Sequence, residues 1–364
     1  MVRLRSALAR WRQAFSPAAF PYGRFFGALL IGALGGWLFV QARLPLPWML
    51  GSMTACTLAA LVRAPIAAPG SVRPPMTMII GVMLGVGFTP QIVESVANWI
   101  PTLLGLAAFI LVSGVACVAY FRWVGKFDLP TAYFAGMPGG LVEMVIVGEG
   151  KGGDARIIAL VHSARILLVV LTLPFLVQWI SGVPLGDRPQ IGASILHTPW
   201  RDEVWLLATA LAGAWLGHLL RLPARLLLGP MLVSAAVHVL GWTRFVPAVE
   251  IVNIAQLVLG TSIGCRFAGT SPREIARILA LSLGSVAILL AITLAFAAGM
   301  SQVSAYGEIP LLLAYSPGGL AEMSLVAVSI GVEVAFVAAH HVIRVFIVML
   351  GAAPVFAILR RRRE

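Results

Sequence analysis

FAGMPGGLVEM, residues 134–144, and AYSPGGLAEM, residues 314–323, interrupt two apolar runs in the same way. Each holds a proline, two adjacent glycines and, three residues later, a glutamate. Proline removes a backbone donor and paired glycines lower helix propensity, so an unbroken helix through either box is costly. Both boxes therefore predict a helix that stops and restarts.

The surroundings decide what such a break means. Of the 364 residues, 60% are hydrophobic and only 11% are charged, with a mean hydropathy of +0.95. Soluble domains are about a quarter charged, so this chain lacks the polar surface to face water and lipid must be its solvent. The formal charge of +12 follows from arginines at the N-terminus (Arg3, Arg5, Arg10, Arg12, Arg24), at the C-terminus (Arg360 to Arg363) and in short loops. That distribution is the cytoplasmic bias of membrane topology. No soluble basic segment is present to engage nucleic acid directly. The basic start RLRSALARWRQAF reads as an interfacial helix on anionic headgroups. It also resembles the front of a signal peptide, a reading the repeat described next argues against. Cys56, Cys117 and Cys265 stand singly, without metal spacing, and read as small core residues.

The two boxes belong to a longer repeat. GGWLFVQARLP (35–45) aligns with GAWLGHLLRLP (213–223) at an offset of 178. At an offset of 179, Gly81, Gly85 and Phe88 fall on Gly260, Gly264 and Phe267, and Pro138, Gly139, Gly140 and Glu143 fall on Pro317, Gly318, Gly319 and Glu322. At the same offset His162 falls on His341 and Arg165 on Arg344. The chain therefore divides into a basic N-terminus (1–23), repeat 1 (24–182), a Pro/Gly-rich linker (183–202), repeat 2 (203–359) and a basic tail (360–364). Each repeat carries six apolar elements. These lie near 24–42, 46–63, 74–90, 99–121, 129–149 and 156–181, then 203–220, 225–241, 248–265, 277–299, 309–331 and 334–359. Most are long enough for about 20 helical residues to cross the hydrocarbon.

The positive charges bear on orientation. If all six elements cross, the repeats run parallel. If the boxed element re-enters, the second repeat is inverted. Of the 26 lysines and arginines, inversion leaves only Arg43, Arg188, Arg201 and Arg244 outside, half as many as the parallel scheme. Both schemes place the termini in the cytoplasm. The expected fold class is thus an all-α integral membrane protein of two inverted repeats, each with about five transmembrane helices plus one broken or re-entrant PGG segment. Broken backbone at membrane depth survives where protein or a water-filled cavity satisfies it.

The candidate site follows. Pro138 and Pro317 are expected in the first turn of a half-helix, whose free N–H groups attract anions. Gly139, Gly140, Gly318 and Gly319 allow close approach. Glu143 and Glu322 sit in these half-helices, and a glutamate in a span needs a partner or a cavity. His162 with Arg165, and His341 with Arg344, share a helix face at a spacing of three and are candidate partners, with His340 beside them. Two roles stand open for the glutamates: proton or cation carriers, or halves of glutamate–arginine bridges. Asp154 and Glu333 read as caps of the helices they precede. GVMLGVGF and LGTSIGCRF read as helix-packing segments. Trp37, Trp99, Trp179, Trp205 and Trp242 read as interfacial anchors.

The duplicated PGGLxEM box, the H-x-x-R helix after it and the GxxxGxxF segment before it resemble the AbrB family of bacterial inner-membrane proteins. This is the duplicated membrane family, not the small DNA-binding regulator of the same name. The resemblance covers residues 24–359 and implies a multi-pass inner-membrane location. Family members are labelled regulators of gene expression or ammonia monooxygenases. An oxygenase needs clustered metal ligands, and only His340 and His341 are neighbours here, so neither a metal nor a cofactor is expected.

The function expected from these residues is a secondary transporter or permease for a small, anionic solute of unknown identity, and not an enzyme. It would work by alternating access, with proton coupling through a glutamate. The alternative is a membrane sensor that affects gene expression indirectly, and a monooxygenase ranks third. The partners expected are the lipid bilayer and the solute. A homo-oligomer is compatible with both main readings.

Overall fold

The computed structural model describes residue 16 and residues 20–90, 95–182 and 192–361. The interfacial N-terminal helix, the first part of the linker (183–191) and the last residues of the basic tail lie outside the described residues. Among those described, the chain is all-helical, without strands.

Fourteen α-helices are described. α1 is Tyr22–Gln41, α2 Pro47–Leu61, α3 Arg73–Val86, α4 Ile100–Trp123, α5 Leu129–Gly136, α6 Leu141–Glu149 and α7 Ala155–Ser181. α8 is Trp200–Leu219, α9 Arg225–Val239, α10 Val249–Gly264, α11 Pro272–Ser301, α12 Glu308–Tyr315, α13 Leu320–Ile330 and α14 Val334–Arg361. The boxed elements are each two helices, α5/α6 and α12/α13, separated by a non-helical stretch. Among the described residues, five segments are long and apolar enough to cross a membrane: Tyr22–Gln41, Val96–Trp123, Ala155–Ser181, Pro272–Ser301 and Val334–Arg360. The expectation that most elements are of crossing length needs correction. α2 and α9 have 15 residues each, roughly 22 Å of helix against about 30 Å of hydrocarbon.

The outer faces are what lipid requires. Phe26, Leu30, Leu34 and Trp37 are exposed along α1, and Leu104, Leu111 and Val115 along α4. Exposed apolar faces of this extent are unstable in water, so with its five long apolar helices the chain is a membrane protein.

The helices sort into two bundles, each drawing on both ends of the chain. α1–α3 pack with α8–α10, and α4–α7 pack with α11–α14; contacts between the bundles are sparse. The first bundle is interlocked through small residues. On α3, a Cβ at Gly81 would meet the Leu227 carbonyl of α9, and one at Gly85 would lie 2.5 Å from Ser234 Cβ. On α10, a Cβ at Gly260 would meet the Met49 carbonyl of α2, and one at Gly264 would lie 2.6 Å from Cys56 Cβ. The packing reading of GVMLGVGF and LGTSIGCRF therefore has a definite geometry: each lies on the opposite end's short helix. Ser234 Oγ adds a hydrogen bond to the Val82 carbonyl at 2.8 Å. The turns into α2 and α9 match as well, with left-handed backbone at Arg43 and Leu46 and again at Arg221 and Ala224.

Two smaller expectations resolve differently. Cys56, Cys117 and Cys265 are buried free thiols in the core. Trp99 is not an interfacial anchor: it is 5% exposed, donates to Tyr306 Oη at 2.7 Å and packs edge-on against Phe336. Trp37, Trp179 and Trp242 are exposed, while Trp205 stacks on Phe245.

Candidate functional site

α5 ends at Gly136, and the chain then runs extended through Met137 (φ −65°, ψ 136°) to Gly140 (φ −67°, ψ 139°) before α6 begins. α12 ends at Tyr315, and Gly319 (φ −75°, ψ 153°) leads into α13 in the same way. The prolines are therefore not in the first helical turn, as expected from sequence. Pro138 and Pro317 lie inside the breaks, and the second arms start at Leu141 and Leu320.

A helix end leaves its last carbonyls without partners, and in lipid no water is at hand to satisfy them. Here the next long helix supplies donors. Arg165 of α7 donates through Nη1 to the Met137 carbonyl (2.9 Å) and through Nη2 to the Gly139 carbonyl (3.1 Å). His162 Nε2 donates to the Phe134 carbonyl at 2.9 Å. Because that nitrogen faces an acceptor, it carries the proton, and His162 Nδ1 accepts from Arg165 Nη2 at 2.9 Å. The other break is held alike. Arg344 of α14 donates to the Ser316 carbonyl (2.5 Å) and the Gly318 carbonyl (2.6 Å), and His341 Nε2 to the Leu313 carbonyl (3.0 Å). The positive charges at the ends of α5 and α12 also complement the helix dipoles. All four side chains are buried.

This arrangement corrects one expectation. Among the described residues, neither Glu143 nor Glu322 forms an ion pair with the arginine of its neighbouring long helix. The described ion pair is Arg156–Glu274, at 3.1 Å, between the ends of α7 and α11. The arginines hold backbone. Each histidine donates to the same backbone; His162 is held in its neutral tautomer by Arg165, while His341 Nδ1 is buried with no hydrogen-bond partner.

The glutamates, both half-buried, are the third residues of their arms and fold back over the glycine that precedes the helix. A Cβ on Gly140 would collide with Glu143 Oε2, and one on Gly319 with Glu322 Oε2. A carboxylate placed there complements the positive end of its own helix. The glycines one position earlier serve packing: a Cβ on Gly139 would lie 2.9 Å from Met144 Sδ, and one on Gly318 2.6 Å from Met323 Sδ. Met144 and Met323 are buried core residues.

The first break lies against the helix that holds the second. A Cβ on Gly139 would also lie 2.9 Å from Val348 Cγ1 of α14, and Arg165 and Arg344 are in electrostatic range of one another. Next to them, His340 bridges the Phe336 carbonyl (2.8 Å) and Thr102 Oγ1 (2.8 Å).

Sequence reasoning missed two arginines. Arg73 opens α3, and Arg266 lies in the 3₁₀ turn Cys265–Phe267 after α10. Both belong to the first bundle, both are half-buried, and both are in electrostatic range of Glu322. By sequence alone they read as loop charges. The signal available was one-sidedness: at the repeat offset of 179, Arg73 falls on Val252 and Arg266 on Gly87. A charge retained in one copy only is not explained by shared scaffold.

The chain is similar to known proteins over most of its length. "Uncharacterized protein YhjN" of Bacillus subtilis (strain 168) is 28% identical over 361 residues, covering 91% of this chain and 92% of its own length. "Putative regulator AbrB" of Escherichia coli (strain K12) is 27% identical over 321 residues, 86% of this chain and 89% of its own length. A family model described as "Transition state regulatory protein AbrB" matches residues 48–360, which takes in both breaks and the arginines and histidines that hold them. The chain belongs to the AbrB family.

Proposed function

We propose that this protein is a secondary transporter or permease for a small anionic solute, working by alternating access between two inverted repeats and coupled to protons through Glu143 or Glu322. The observation that carries the reading is the state of the two breaks. Their carbonyl ends are closed by Arg165, His162, Arg344 and His341, while at their N–H ends a carboxylate of the same arm folds back over the preceding glycine.

That asymmetry suggests how coupling would work. A carboxylate and a solute anion compete for the same positive helix end. Protonating the glutamate removes the competing charge, so proton and anion would bind together. The sparse packing between the bundles supports relative motion, and discontinuous helices near the repeat interface are a recurrent transporter design.

The test is uptake and proton flux in proteoliposomes. Wild type should accumulate an anionic solute down a proton gradient. Glu143→Gln and Glu322→Gln should retain binding and lose proton dependence. Unchanged proton-coupled flux in both folded variants would remove the glutamates from this role.

The second reading is a membrane-embedded sensor or regulator, favoured by the name of the Escherichia coli relative. It would bind the same solute saturably with no transmembrane flux, so the same vesicles separate the two. An oxygenase ranks third and predicts a redox metal in the purified protein.

A further inference from the structure

We propose that Arg73 and Arg266 form the oxyanion-binding part of the solute site, taking the carboxylate or phosphate group of a small water-soluble anion at the seam between the two bundles. The proposal rests on the solute site described above and adds the residues and the ligand class.

Three observations lead there. Arg73 Nε is buried with no hydrogen-bond partner, a state it shares with Arg165 Nε and Arg344 Nε, but among the described residues the guanidiniums of Arg73 and Arg266 donate to no protein atom at all. Arg165 and Arg344, by contrast, spend their Nη donors on carbonyls. Next, the two guanidiniums are in electrostatic range of one another and share one carboxylate, Glu322, which does not come within ion-pair distance of either. Two cations against one anion leave a net positive charge in a half-buried seam, an arrangement that is costly unless a further anion joins it. Lastly, the parts come from opposite bundles. Arg73 and Arg266 stand on the first, and Glu322 with its break stands on the second; α3 touches α13, and the turn carrying Arg266 touches α7. Arg266 is also in electrostatic range of His162.

The chemistry of the groups selects the ligand. A guanidinium presents a planar fork of donors that matches a carboxylate or phosphate in bidentate fashion. Glu322 folds back over Gly319 instead of reaching forward to the arginines. It would therefore act as a competing anion, repelling the ligand when ionised. Since Val252 and Gly87 occupy the offset positions, the site is single rather than doubled.

The experiment is a thermal-shift titration of detergent-purified protein with inorganic phosphate, sulfate, acetate and succinate, against chloride at matched ionic strength. At least one oxyanion should raise the wild-type Tm saturably. Arg73→Gln and Arg266→Gln should each raise its half-saturation concentration by about tenfold or more, and Lys151→Gln, in an exposed loop, should leave it unchanged. Glu322→Gln should lower half-saturation severalfold, a gain that misfolding cannot imitate. The proposal is overturned if none of the four oxyanions stabilises wild type, or if the arginine variants titrate like wild type. Stabilisation by phosphatidylglycerol micelles alone would overturn it too, by assigning the pair to lipid headgroups. Binding that depends on both arginines without flux would leave this site standing and remove the transport reading. Flux that persists with wild-type KM in both arginine variants would do the reverse.

Discussion

Arg165 Nη1 stands 2.9 Å from the carbonyl oxygen of Met137, and this contact, repeated by Arg344 on Ser316, fixes the geometry of each break. One guanidinium closes two carbonyls that lie past the end of α5, where no helical amide follows to bond them. Removing it leaves both orphaned, at about 1–3 kcal/mol for each buried group. Arg165→Ala should therefore lower Tm in detergent by several degrees, more than any loss from side-chain volume. Arg165→Lys should recover less than half of that, because an ammonium lacks the planar fork needed to bridge two carbonyls and His162 Nδ1 together. Equal Tm values for the alanine variant and wild type would show that the break holds itself.

The contact between Gly140 and Glu143 predicts a non-additive pair. A methyl at Gly140 displaces the carboxylate from the helix end, so Gly140→Ala should perturb function about as much as Glu143→Ala. The double variant should be no worse than either single one, with a coupling energy of about 1 kcal/mol or more between neighbours. The same cycle applies to Gly319 and Glu322. Gly299→Ala, where a Cβ meets nothing within 4 Å, is the neutral control. Additive losses in flux or Tm would mean that the glycines matter only for backbone freedom.

The interlock of the first bundle is testable through size. At Gly81 and Gly260 the facing helix approaches with its backbone, which cannot rotate away as a side chain can. Gly81→Leu and Gly260→Leu should each destabilise by about 1–3 kcal/mol or more through overpacking, seen as lower yield and lower Tm. Gly27→Leu, on the open face of α1, should be tolerated. If all three behave alike, the close crossing is not what holds α3 on α9 and α10 on α2.

Much of this fold can be read from residue pattern. Apolar runs place most helix ends within a few residues, because a chain solvated by lipid must keep its polar groups at the termini. Pro138-Gly139-Gly140 marks its break for the same reason. The partners inside the site were less legible. Sequence spacing puts His162 and Arg165 on one face, yet not against which groups, and a carboxylate three residues past a PGG box invites a glutamate–arginine pairing that backbone carbonyls win instead. Pro138 lies three residues before the helix it is expected to open, where Arg165 holds the carbonyls of Met137 and Gly139. Arg73 and Arg266 look like loop charges until the two bundles bring them to Glu322. Trp99 looks like an anchor until Tyr306, 207 residues on, covers it.

The helices that follow the two breaks begin on unequal terms, and the inequality predicts mutations of opposite sign. Asp154 caps α7: its Oδ1 accepts from the Ile157 amide at 3.0 Å, and its own amide donates to Thr131 Oγ1 of α5 at 2.9 Å. Asp154→Ala should cost about 1 kcal/mol and speed amide exchange through the first turn of α7, loosening the helix that carries His162 and Arg165. Glu333 precedes α14 at the equivalent offset, but its Oε1 is buried without a hydrogen-bond partner. An uncompensated carboxylate oxygen is a liability in a buried setting, so Glu333→Gln should be neutral or raise Tm. Parallel hydrogen-exchange and thermal measurements on the two variants decide the matter. Losses of similar size in both would make Glu333 a cap like Asp154 and remove the distinction between the two helix starts.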